Sequence, residues 1–250
     1  MAVNVDTVYQ RVLAILNKEQ RGYVTPQEFN LFANQAQLDI FEQYFYDINQ
    51  FGRLPGNDTE FSDMLNILNE KINIFETNGA MTYDVPSESW STPGNLYRLG
   101  TIMYANVTTS KSLYPTPNTV VTTTTLVEAE RTNYNEYLYI NQSDYLKPTN
   151  ARPVFIASST GYKVYGAAAL ITGVSCNYIK VPSKVEWGYQ MVYGEALYDA
   201  TTSVNFELHT SEETELVIKI LAFAGLAIQD VQVYQVAAQI EAQTNQQEKS

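Results

Sequence analysis

Apolar positions recur at helical spacing near both ends of the chain and at shorter, strand-like intervals between them. Val5, Val8, Val12, Ile15 and Leu16 put one apolar face on a helix ending near Glu19, ahead of Arg21-Gly22. Thr25-Pro26-Gln27-Glu28 reads as the start of a second helix. Thr25 can cap an orphan N–H, Pro26 suits the first helical position and Glu28 can close a capping box. Phe29, Phe32, Ala33, Ala36, Ile40 and Phe41 carry that helix to about Ile48. After the turn residues Gly52 to Asn57, a third helix is predicted from Asp58 or Thr59. Its apolar face holds Phe61, Met64, Leu65, Leu68, Ile72 and Phe75, and Asn78-Gly79 is its expected stop.

The middle of the chain reads as antiparallel β. Candidate strands are 82–85, 95–104, 119–128, 134–140, 153–157, 162–165, 172–179 and 185–192, separated by turns such as Thr92-Pro93-Gly94 and Ser158-Ser159-Thr160-Gly161. The run Thr122 to Thr125 is β-branched, which helices disfavour, and Tyr137-Leu138-Tyr139-Ile140 favours a strand. Thr108 to Asn118, with Pro115 and Pro117, reads as an exposed loop at a hairpin end. Helical spacing returns after a second capping-box pattern, Thr210-Ser211-Glu212-Glu213, with Leu216, Val217, Ile220, Leu221 and Ala224 on one face and Gly225 as the expected end. Asp230 can cap a last helix bearing Val231, Tyr234, Ala237 and Ala238. The predicted fold class is therefore α+β. A helical region at 1–80 and C-terminal helices at 209–250, packing together, flank an antiparallel β domain at 81–208.

Composition narrows the chemistry. The 250 residues are 45% hydrophobic, enough for a core without staples. No run approaches the roughly 18 apolar residues that span a bilayer, and the first residues lack the basic and apolar regions of a secretory signal. The expectation is a protein made in a cytoplasm and used there, or in something assembled there. One cysteine, Cys176, excludes an internal disulfide, and one histidine, His209, excludes sites that need several imidazoles. The formal charge of −12 is the reverse of what a DNA-gripping surface offers the phosphates.

The search for catalytic groups yields none. His209 precedes a helix start and reads as a polar residue at a junction; Cys176 lies in a strand-like run and reads as a buried structural thiol. Glu128, Glu130 and Glu186 could serve a glycosidase only as a close pair, which spacing does not give. Glu212, Glu213 and Glu215 complement a helix dipole. No catalytic, cofactor-binding or metal-ligating residue is assigned, and no cofactor is expected. The 19 tyrosines, 14 of them between residues 83 and 198, are the one compositional departure. They are either strand fillers or contact residues, protein partners being favoured over glycans.

Several short runs carry a resemblance. Gly22-Tyr23-Val24-Thr25-Pro26-Gln27-Glu28-Phe29-Asn30, with Ala33-Asn34-Gln35-Ala36-Gln37-Leu38, is one. Tyr145-Leu146-Lys147-Pro148-Thr149, Arg152-Pro153-Val154-Phe155 and Tyr178 to Pro182 followed by Val185-Glu186-Trp187-Gly188-Tyr189 are others. The run Asn205 to Val217, with Ala222-Phe223-Ala224-Gly225, carries it furthest. Together they resemble the ring, or portal-adaptor, proteins of the head–tail connector of crAss-like and related podovirus-type phages, similar in layout to tail tubular proteins. That resemblance implies a virion structural protein, not an enzyme. It implies a homo-oligomeric, dodecameric ring below the portal, with portal protein and other tail rings as partners and double-stranded DNA passing through the lumen. An acidic lumen suits passage without sticking. Ring closure needs two complementary patches per subunit. The face with Phe29, Phe32, Ile40 and Phe41 is expected to mix core with intersubunit surface, and the helix from Ser211 to dock on the portal or next ring. The alternatives are a carbohydrate- or receptor-binding tail module with Tyr, Trp90 or Trp187 exposed in a row, and a tail hydrolase with paired carboxylates. Trp187 buried beside Pro182 would favour the connector reading, and Trp187 lining an open cleft the glycan reading.

Overall fold

A computed structural model describes residues 3–18, 24–51, 64–112 and 119–227. The chain is α+β, with helices at both termini flanking antiparallel sheet. It divides into two compact units, one made of Met1–Ile74 and Pro182–Ser250 and the other of Phe75–Val181. The boundaries expected at 81 and 208 therefore move. The β unit begins at the end of the third helix, and residues 182–208 cluster with the helices.

In the helical unit, α1 (Val5–Lys18), α2 (Pro26–Phe51), α3 (Met64–Asn73) and α5 (Glu213–Ala227) supply the core. Asn4 starts α1 by accepting the amides of Asp6 (2.8 Å) and Thr7 (3.1 Å) at its Oδ1. The Thr25 capping box forms as read. Thr25 N donates to Glu28 Oε2 at 2.9 Å and Glu28 N to Thr25 Oγ1 at 3.3 Å, and these bonds hold the Glu28 carboxyl below its ordinary pKa. The apolar faces meet as their spacing requires: Val8, Val12, Phe29, Ala33, Ile40, Phe41, Leu216 and Ile220 are all buried. Phe29, Ile40 and Phe41 are thus core of the chain itself; Phe32 is partly buried and stacks on Phe223 at 6.5 Å. Leu216, Ile220 and Ala224 of α5 are likewise buried, as α5 packs on α1 and α2. Gly225 lies inside α5 rather than ending it. Residues 182–208 are mostly irregular. They bridge at Val3–Phe206 and Glu186–Val204 and carry one hairpin, β10 (Tyr189–Val192) with β11 (Glu195–Tyr198). The strand expected over 185–192 is therefore regular only in its second half.

The β unit holds two sheets. The first orders β1 (Glu76–Ala80), β9 (Val174–Lys180), β4 (Leu96–Ser112) and β5 (Thr119–Glu128), all antiparallel. The second orders β2 (Thr82–Asp84), β3 (Ser89–Ser91), β8 (Gly161–Tyr165), β7 (Val154–Ser158) and β6 (Glu130–Arg131), with β6 and β7 parallel. Met81, Trp90, Ile102, Phe155, Val164, Cys176 and Tyr178 form the core of this unit. β4 is 17 residues long, well past the expected end at 104. Asn78-Gly79, expected to stop the third helix, sits in β1.

The segment expected as a strand at 134–140 is a helix, α4 (Tyr134–Gln142), opened by Asn133, whose carbonyl accepts Tyr137 N at 2.9 Å. Its tyrosines suit a strand, but Tyr134, Tyr137 and Leu138 also sit at helical spacing, and Tyr137 stacks on Tyr165 at 4.4 Å. The expected turn at Gly52–Asn57, the start of the third helix with Phe61, the loop tip with Pro115 and Pro117, and the helix from Asp230 lie outside the described residues.

Candidate functional site

A polar face of α2 builds the most ordered cluster in the helical unit. Asn30, Asn34 and Gln37 recur at i, i+4 and i+7 and so share one face. Asn34 Oδ1 accepts Val185 N at 2.9 Å, while its Nδ2 donates to Val185 O at 2.8 Å. Asn30 Oδ1 accepts Trp187 N at 2.8 Å, and Gln37 Nε2 donates to Ser183 O at 2.8 Å. Backbone groups of residues 183, 185 and 187 therefore all face α2. The cluster continues through Gln37 Oε1, which accepts Glu207 N at 3.1 Å, and the Glu207 carboxylate, which accepts Ser183 N and Oγ at 3.0 Å each.

This ladder seats Trp187. The indole is 2% exposed, donates to Asp6 Oδ1 at 3.0 Å and packs on Tyr9, Tyr189 and Tyr198. Trp90, in the other unit, is 4% exposed and donates to Leu170 O at 2.9 Å. Neither tryptophan lines an open cleft, so neither offers a sugar-stacking platform.

The remaining candidates fall in separate places. His209 caps the short 3₁₀ turn Thr210–Glu212, its Nδ1 accepting Ser211 N at 3.2 Å. It takes the capping place expected of Thr210. Cys176 is fully buried, and burial pushes its thiol pKa up, which leaves it a poor nucleophile. Glu212 is buried and pairs with Lys71 Nζ at 2.7 Å, so its role is an ion pair as well as helix-dipole complement. Glu186 stands in the helical unit, whereas Glu128 and Glu130 meet on a groove of about 600 Å³ in the β unit. Arg131, Phe155 and Tyr162 complete that groove. Both glutamates are exposed and flank the buried Ala129, as strand alternation requires. Among the described residues, no group of three or more His, Cys, Asp or Glu side chains is placed to hold a metal ion.

Apolar surface turned to solvent is more distinctive than any of these. α4 buries no residue, and Tyr134, Leu138, Tyr139 and, just beyond, Tyr145 and Leu146 are exposed. The β10–β11 hairpin pairs with no other strand among the described residues and exposes Met191, Val192, Tyr193 and Leu197. Tyr193 at its tip has φ of +54° and Gly194 +89°, the two left-handed positions of a tight hairpin turn. Glycine takes that conformation without strain, whereas a fully exposed tyrosine holds it at a cost. Along the outer half of β4 and β5, Val107 is 56% exposed and Val120 61%, and Leu126, just inside it, is 67% exposed. Asparagine spacing could have disclosed the α2 ladder, but its partners lie far along the chain. The exposed surfaces gave no sequence signal beyond the tyrosine count.

No protein-family model matches the chain, and no curated protein matches its sequence.

Proposed function

We propose that this chain is a virion structural protein, one subunit of a ring in the head–tail connector of a short-tailed phage, and that its function is surface complementarity rather than turnover. The observation that carries the proposal is the apolar surface on α4, on the β10–β11 hairpin and on the outer β4–β5 ribbon. None of these elements has a core of its own, and short helices and two-stranded ribbons are marginal in water. Several such surfaces on one subunit suit a protein with neighbours on more than one side, as a closed ring requires. The formal charge of −12 supports a conduit through which a duplex slides without phosphate contacts to break. The runs that resemble portal-adaptor rings supply the identity of the assembly, its dodecameric order, and portal and tail rings as partners.

α5 does not serve as the portal-docking element in this proposal, because its apolar face is buried against α1 and α2. Deleting 211–250 would remove core and unfold the helical unit.

Cryo-imaging of the particle tests the proposal. The expected result is density for this chain as a closed ring between portal and tail. Density confined to a fibre tip, or measurable cleavage of a surface polymer by the purified chain, would overturn it.

A further inference from the structure

β4 and β5 run past the rest of their sheet. Among the described residues, β9 ends its pairing opposite Tyr104, with one further bond from Ala105 N to Gly173 O at 2.8 Å. From Asn106 outward, β4 pairs only with β5, in an unbroken register from Asn106–Thr125 to Ser112–Thr119. Among the described residues, the outer ribbon therefore has two open edges at the same level, one along each strand.

Natural proteins blunt such edges with charge, proline or a bulge. This ribbon has almost none of these. Positions 119–127 carry no charge and no proline, Lys111 is the only charge between 106 and 112, and the ladder has no register shift. Cross-strand pairing also makes it two-faced. Val107 and Thr109 share a side with Val120, Thr122 and Thr124; Asn106, Thr108 and Ser110 share the other with Thr123 and Thr125. The first face is β-branched and mixes valine with threonine, and the second carries hydroxyls and an amide.

We infer that the occupant of each open edge is the ribbon of another copy of this chain, β5 of one subunit lying antiparallel beside β4 of the next. The inference rests on the ring proposal and names its joint. The polarity fits, because β4 and β5 already alternate in direction and a second hairpin set beside the first continues that alternation. Level and length fit, because both edges belong to the same ribbon. The faces fit, because edge-to-edge pairing sets each face beside the same face of the next ribbon. The contact is heterologous, with a different edge on each partner, which is the kind that closes into a ring. One hairpin per subunit then forms a continuous band of strands in which no edge remains, the one arrangement that removes edges altogether.

Cross-linking between two single-cysteine additions tests the joint. Thr108→Cys places a thiol on β4 and Thr123→Cys one on β5, both at exposed positions, with circular dichroism as the check on folding. The wild type, whose Cys176 is buried, is the blank. Each variant is oxidised to favour disulfides, alone and mixed with the other, while native mass measurement reads the oligomer; a disulfide needs Cα atoms within about 7 Å, which adjacent strands satisfy and strands two apart, at about 9.5 Å, do not. The expected result is closed oligomers, with a covalent dimer forming only in the mixture. Dimers from Thr123→Cys alone would mean β5 pairing with β5, and would overturn the inference. Closed oligomers without a link in the mixture would overturn the edge joint and leave the ring proposal standing. Monomers throughout, with no link, would rule out a second copy as occupant, and the ring proposal would then stand or fall on particle imaging.

Discussion

Asn34 shows how much one amide on α2 supports. It satisfies both backbone groups of Val185, a residue only 2% exposed, so its removal leaves a buried N–H and a buried carbonyl without their partner. Asn34→Ala is expected to lower stability by about 1–3 kcal/mol, the desolvation penalty of such groups. Gln35→Ala, on the exposed side of the same helix, should stay within about 0.5 kcal/mol. Urea denaturation midpoints read the difference, and equal effects would mean that the ladder does not hold residues 183–187. Asp199 makes a second residue-scale prediction. Its carboxylate accepts Thr201 Oγ1 at 2.6 Å, Thr201 N at 2.9 Å and Gln190 Nε2 at 3.0 Å, and these bonds hold its pKa at about 2. The folded value is depressed, so the stabilisation is fully present above the ordinary carboxylate pKa near 3.8 and is lost as pH falls from there through about 2. The chemical shift of the Thr201 amide should titrate at the low end of that window. A midpoint near the ordinary value would show that the turn bonds do not form in solution.

At the level of elements, local chemistry was legible where a bond pattern closes within one turn, as at Thr25 and Glu28. It misled where one composition fits two periods. Tyr134 to Ile140 suits a strand by propensity and a helix by spacing, and the contact that accompanies the helix, Tyr137 on Tyr165, lies across the unit. The same limit hid the fate of Glu212. A glutamate at a helix start reads as a dipole complement, yet this one is tied to α3 by Lys71 and also accepts Ser211 Oγ at 2.9 Å. Such a tie is expected to behave as a pair rather than as two independent charges. Lys71→Met alone leaves a buried carboxylate uncompensated and should destabilise by about 3 kcal/mol. The double variant Lys71→Met, Glu212→Met should recover most of that loss, because two apolar side chains remove the stranded charge. A double-mutant cycle in denaturant measures the coupling, and additive effects would sink the pairing. The exposed ribbon and hairpin lay beyond sequence reading for a related reason. A run rich in Val and Thr specifies a strand but not whether anything covers its faces.

For the whole molecule, the β unit is an insertion in the helical one, and its two chain ends lie side by side. Glu76 pairs with Ile179, and Lys180 N donates to Phe75 O at 2.9 Å. Among the described residues, its core, built around Trp90, Ile102, Phe155 and Cys176, draws on none outside Phe75–Val181. A segment with its own core and adjacent ends meets the conditions for folding alone. The chain has two tryptophans, and each unit holds one of them buried, which separates the two signals. In the full chain, Trp187→Phe leaves Trp90 to report the β unit, and Trp90→Phe leaves Trp187 to report the helical unit. The excised segment 75–181 should unfold cooperatively, with a Trp90 fluorescence midpoint matching that of Trp187→Phe in the full chain. If the excised segment shows no transition, or the two full-chain signals change together at one midpoint while the segment alone is unstructured, the units are divisions of geometry only. In that case the outer ribbon is supported by the stability of the entire chain rather than by the sheet from which it projects.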